Sequence, residues 1–166
     1  MIIDMLMRLG IPTLTTTIYS PLSVAPEQSI KIAQQLPTQI GRIYGMAIYA
    51  DGVTPDNKAL ITTSEAALIY LTLKEGMANF LEDLRLDDML TVFSGAPVTR
   101  PVPYLPVNVP NTFDLSTSQY SNPTGIVAGA NNKTIALKLW YISIETYNRL
   151  LADGTLLKNG ELARRG

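Results

Sequence analysis

The sequence predicts an all-β protein, a two-sheet antiparallel β-sandwich with one or two short helices. Three observations carry that expectation. Four long segments have the composition of strands, turn residues recur between them, and a proline-rich connection favours extended chain. One domain suits 166 residues and is long enough to bury a proper core.

Taken in order, residues 1–12 read as an apolar N-terminal arm. Met1, Ile2, Ile3, Met5, Leu6, Met7 and Leu9 are too many apolar side chains for a free, solvated tail. Three surfaces would bury them: the domain's own core, a neighbouring subunit, or a membrane contacted through residues 1–10. The adaptable methionines suit each. The first strand is expected over 13–20, followed by a weaker edge or arm candidate over 28–34, where Ile30 and Ile32 alternate with polar residues. Residues 40–50 form the second long strand, closed by turns at Asp51-Gly52 and Pro55-Asp56-Asn57. A third strand spans 67–74 and turns at Glu75-Gly76. The chain from Phe80 then alternates apolar and charged residues before breaking into a short helix around Leu84–Leu90.

The stretch 96–110 holds five of the 11 prolines, alternating with apolar residues. It is expected to be a long crossover with few ladder bonds, or an arm on another subunit. Residues 112–116 are a second weak strand candidate, followed by a turn at Asn122–Gly125. In the last strand, 133–144, Ile135, Leu137, Leu139 and Tyr141 define one dry face. The later half is apolar on both faces, the mark of a central strand. A helix over 145–151, closed by Asp153-Gly154, would cap one end of the sandwich. With Leu156, Leu157 and the basic Arg164-Arg165 end, residues 145–166 form a helix and tail that offer a second docking element.

Composition narrows function. Thirteen Lys and Arg against 14 Asp and Glu leave a net charge of −1, far from the basic balance of a nucleic-acid binder, and no sequence-specific nucleic acid is expected as partner. Charged residues make up 16%, against about 25% in an average domain, so much of the surface is neutral or covered by a partner. The chain has 0 His and 0 Cys. That removes thiol nucleophiles, Cys/His zinc sites and imidazole acid–base chemistry. No leader peptide is read at the start, and no apolar run is long enough to span a bilayer.

Few constellations remain. Glu82, Asp83, Asp87 and Asp88 are the one concentration of carboxylates. A hydrolase built around Glu82 and Asp87 is the enzyme reading, and a solvated face the competing one. Asp51–Asn57 lacks the spacing and final Glu of a calcium loop and reads as a hairpin loop. Gly125–Thr134 lacks the glycine that must precede the lysine of a phosphate loop. Tyr104 and Tyr120, in loop-like surroundings, would stack on sugar rings in a carbohydrate- or receptor-binding module, or would pack under their own loops. No catalytic residue, cofactor or metal is expected.

The order of elements resembles that of another class. The strand Arg42–Tyr49 is followed by Ala50–Val53, then Leu68–Gly76 running into Asn79–Leu86. A proline-rich crossover leads to Phe113–Pro123 and a final Thr134–Ile142. This pattern resembles the single jelly-roll proteins of virus and bacteriophage particles, of vertex (penton), spike-base and minor capsid type. The resemblance implies an eight-stranded roll over 13–144 that meets its neighbours side by side around a symmetry axis and does no chemistry. It further implies virion localisation, other capsid proteins as partners, and a homo-oligomer, with cytoplasmic or soluble extracellular placement as the alternative. Contacts would run through residues 1–12 and the 96–111 crossover, with Pro101, Val102, Tyr104 and Leu105 beside the arm residues named above. An immunoglobulin-like sandwich fits the strand count nearly as well, but the long crossover favours the jelly-roll-like arrangement.

Overall fold

In the computed structural model, residues 2–22, 29–32, 38–75, 77–90, 104–111, 118–121 and 133–164 are described. Helix α1 (Ile2–Arg8) leads into β1 (Leu14–Leu22). The strands β2 (Ser29–Lys31) and β3 (Ile40–Tyr49), the single-turn helix α2 (Thr63–Ala66), β4 (Tyr70–Glu75) and β5 (Ala78–Arg85) follow. A 3₁₀ turn over Leu86–Met89 precedes β6 (Leu105–Pro110), β7 (Gln119–Ser121), β8 (Lys133–Ser143) and α3 (Ile144–Ala152). The strands make two antiparallel four-stranded sheets, ordered β1-β8-β3-β6 and β2-β7-β4-β5. Of the successive strand pairs, β4–β5 alone stays within a sheet; every other connection crosses between sheets.

Period-two alternation explains the core between the sheets. Ile135, Leu137, Leu139 and Tyr141 of β8 point inward with Ile18 of β1 and Ile43, Met46 and Ile48 of β3. They meet Leu71 and Leu73 of β4 and Tyr120 of β7. As expected of a central strand, β8 is also apolar behind: Ile142 and Trp140 join Tyr44 and Ala47 of β3 in a second cluster on the outer face of the first sheet. That cluster is closed by Ile3 and Leu6 of α1, Ile11, Tyr104, Leu150 of α3 and Leu156. The molecule therefore has three layers: α1 and α3 with the C-terminal tail, the first sheet, and the second sheet.

Several sequence expectations shift. The 67–74 strand starts three residues later. Thr62 caps α2, its hydroxyl accepting from Glu65 N–H while the Glu65 carboxylate accepts from Thr62 N–H, and this reciprocal box draws 63–66 into a helical turn. The proline-rich crossover ends as a strand. Residues 105–110 pair with β3 at Arg42↔Pro110, Ile43↔Val109, Gly45↔Pro106 and Met46↔Leu105, and the prolines are tolerated because β6 is an edge. Residues 96–103, with Pro101 and Val102, and the 112–116 strand candidate lie outside the described residues, as does Met1. The C-terminal helix, N-capped by Ser143 and ended by Gly154 at φ +77°, packs Leu150 on the outer face of the first sheet rather than over an end of the sandwich.

Candidate interaction surface

The outer layer is where the sequence places partner contacts, and the structure divides it. α1 is a helix, not an extended arm. Asp4 in its first turn and Arg8 in its last complement the helix dipole. Ile3 and Leu6 lie on one face and are buried against Tyr44, Ala47 and Ile142. Of the three surfaces that would bury the arm, its own core takes this face. The rest of the helix surface is open: Met5 and Met7, and Leu9 just after the helix, are 48%, 62% and 49% exposed. A groove of about 670 Å³ runs beside it, lined by Met5, Leu9 and Leu162 and rimmed by Arg8, Arg164 and Asp153.

Tyr104 and Leu105 are likewise used within the chain. Tyr104 is buried in the second cluster, its ring 5.1 Å from that of Trp140, and Leu105 packs against the first. Burial, reinforced by Asp4, pushes the Tyr104 phenol above its ordinary range.

The tail is held by a group that sequence reading passed over. Arg42, only 8% exposed, sits near the start of an otherwise apolar strand. Its guanidinium donates to the Asn108 side chain, to the Asn159 carbonyl at 2.8 Å and to the Tyr147 hydroxyl at 3.4 Å. Tyr44 donates to the Gly160 carbonyl at 2.8 Å, and burial pushes its phenol up to about 12. Gly160 adopts φ +82°, and a Cβ there would lie 1.9 Å from Arg42 Nε, so only glycine fits beneath the guanidinium. Leu156, part of the expected docking tail, is buried in its own domain, and Leu157 remains exposed. The tail docks intramolecularly because Arg42 finds its acceptors there, and no local signal in the sequence marks a partner 117 residues away.

The carbohydrate reading loses its aromatic platform. Tyr120 is fully buried between the sheets, with its phenol raised by burial, and Tyr104 is 5% exposed. Neither ring is available to stack on a sugar. Glu82, Asp83 and Asp88 are exposed, Asp83 at φ +48°, and Asp87 pairs with Arg85. In the 51–57 loop, Asp51 accepts from Thr63 N–H at 3.0 Å and from its hydroxyl, while Asp56 accepts from Thr54 and pairs with Lys58 at 3.2 Å. Among the described residues no three acidic side chains gather where a metal ion could sit. Lys133 pairs with Glu65; burial opposes ionisation of that carboxyl, but the bonds from Lys133 and Thr62 outweigh it and hold it below its ordinary range.

No helix among the described residues is long and apolar enough to cross a membrane. The chain matches no protein-family model, no curated protein and no solved structure.

Proposed function

We propose that this chain is a non-enzymatic structural component of a virus or bacteriophage particle, which self-associates and docks onto other capsid proteins. The observation that carries the reading is α1, which is anchored by Ile3 and Leu6 yet leaves Met5 and Met7, with Leu9 just beyond the helix, exposed. Two further features support it. The strand order β1-β8-β3-β6 against β2-β7-β4-β5, with all connections but one crossing between sheets, supports the jelly-roll reading of the sandwich. The chain is also poor in charge, as suits a lattice component whose neighbours cover it.

The carbohydrate-binding alternative has no exposed Tyr104 or Tyr120 to stand on. Removing residues 1–10 would strip the second core of Ile3 and Leu6 and so confuse assembly with folding. The test is therefore the solution mass, by light scattering after size exclusion, of the full chain beside Met5→Ser/Met7→Ser/Leu9→Ser. A wild-type oligomer that shrinks in the triple variant, with the same thermal melt, supports the reading. A wild-type chain that remains an 18.1 kDa monomer at every concentration overturns self-association.

A further inference from the structure

Residues 155–163 form a hairpin that walls one side of the groove beside α1. Leu157 N–H donates to the Glu161 carbonyl at 2.8 Å, Ala163 N–H donates to the Thr155 carbonyl at 2.9 Å, and Leu156 faces Leu162 between them. Leu156 and Leu162 are thus a non-hydrogen-bonded pair, whose own N–H and C=O groups turn away from the opposite strand. Leu156 N–H finds the Leu150 carbonyl at 3.0 Å, whereas the N–H and C=O of Leu162 find no partner among the described residues. One wall residue of the groove therefore carries a main-chain donor and acceptor that an added strand would satisfy.

The groove itself combines an apolar lining with a positive rim. Its volume of about 670 Å³ lies within the roughly 300–1,000 Å³ of ordinary binding sites, and Met5, Leu9 and Leu162 supply the apolar surface. Arg8 and Arg164 on the rim are exposed, and neither guanidinium has an ion pair or hydrogen bond among the described residues. Arg42 and Arg85, by contrast, are each held by acceptors of their own chain. Asp153, the rim's carboxylate, accepts from the Thr155 N–H at 2.9 Å.

We propose that this groove takes an extended, acidic segment of another protein, which adds as a strand beside Leu162, sets its apolar side chains against Met5 and Leu9, and brings carboxylates to Arg8 and Arg164. The inference rests on the docking onto other capsid proteins proposed above and names the chemistry of the partner segment. Three observations select this occupant. The unbonded main chain of Leu162 suits a peptide and has nothing to offer a lipid tail. The two unpaired guanidiniums attract acidic side chains and repel basic ones. One extended segment supplies both apolar and acidic contacts, because successive side chains of a strand point to opposite faces.

The test follows the fluorescence anisotropy of a labelled synthetic peptide that alternates leucine with glutamate, titrated with the full chain below the concentration at which it self-associates. Binding is expected, weakened about tenfold in Arg8→Gln/Arg164→Gln and lost when lysine replaces glutamate in the peptide. Arg8→Glu/Arg164→Glu is expected to exchange the preference and take the lysine peptide, which a folding defect would not do. Methylating every second backbone nitrogen of the glutamate peptide is expected to abolish binding in one of its two phases, the one that removes the bond to Leu162. No binding of the glutamate peptide, equal affinity for the lysine peptide, or full binding by both methylated peptides overturns the proposal. Dodecanoate bound where the glutamate peptide is not overturns it in favour of an anionic lipid. These titrations read no oligomer, so a chain that never self-associates and a groove that takes no peptide are told apart.

Discussion

Replacing Leu6 by alanine separates a helix held by its own domain from an arm that waits for a partner. Leu6 is fully buried in the second cluster, among Ile3, Tyr44, Ile142 and Leu150. Truncating such a leucine removes its transfer free energy and leaves a cavity, together about 3 kcal/mol, or roughly 150-fold in the folding equilibrium. With a urea slope of about 2 kcal/mol per molar, the midpoint falls by about 1.5 M. The one tryptophan, Trp140, packs against this same cluster, so its fluorescence reports the layer directly. Met7→Ala, at an exposed position, serves as the control at concentrations where the chain is monomeric and is expected to change stability by less than about 0.5 kcal/mol, or the midpoint by less than about 0.25 M. The Leu6→Ala shift should be independent of protein concentration. If Leu6→Ala unfolds at the same urea concentration as Met7→Ala, or its cost appears only where the chain self-associates, then α1 is not anchored by its own core and the three-layer description fails.

Three further outcomes are expected. Tyr120→Ala should cost about 3–5 kcal/mol and lower the calorimetric Tm by about 10 °C, whereas Tyr120→Phe should stay within about 1 kcal/mol; a mild Ala variant would mean that the ring is not a core plug. Because the folded Glu65 carboxyl titrates below its ordinary value of 4.5, its bonds to Lys133 and Thr62 stabilise fully at neutral pH and are lost as pH falls from about 4.5 through the folded value. Glu65→Gln should accordingly be about 1 kcal/mol less stable than wild type at pH 7, with the gap narrowing as pH falls below about 4.5; a urea-midpoint difference that does not change as pH is lowered would refute this. Arg42→Ala and Gly160→Ala should each release the tail, raising amide exchange over 156–162 at least about tenfold by mass spectrometry, and unchanged exchange would show that the guanidinium is not its anchor.

What was legible in the sequence was whatever rested on local period. The alternation of Ile135 to Tyr141, with Trp140 and Ile142 behind, identifies β8 as central, and Asp153-Gly154 sit where α3 ends. Elsewhere a second signal masked the first. In α1 the apolar residues surround the helix, so the period that separates buried Leu6 from exposed Met7 is hidden. In β6 the prolines argue against pairing and hide an edge strand. Thr62 and Glu65 have capping-box spacing, but the apolar run after them reads as strand from Ala67. Tyr120 stands among Ser118, Gln119 and Ser121, the composition of a loop, and only the three-residue strand β7 turns its ring inward. The Arg42 clamp joins residues more than a hundred positions apart, beyond the reach of any local pattern.

The second cluster also constrains when the fold can close. It joins Ile3 and Leu6 at one end of the chain to Leu150 and Leu156 near the other. During synthesis, at roughly 5–20 residues per second, residue 156 follows residue 6 by on the order of 10 s. Through that interval Tyr44 and Ala47 have no complete cover, and the outer face of the first sheet remains open until nearly the whole described chain exists. Closing this layer joins the most distant parts of the described chain, so its loop-closure cost falls late, and the surface proposed for assembly is completed in that same step.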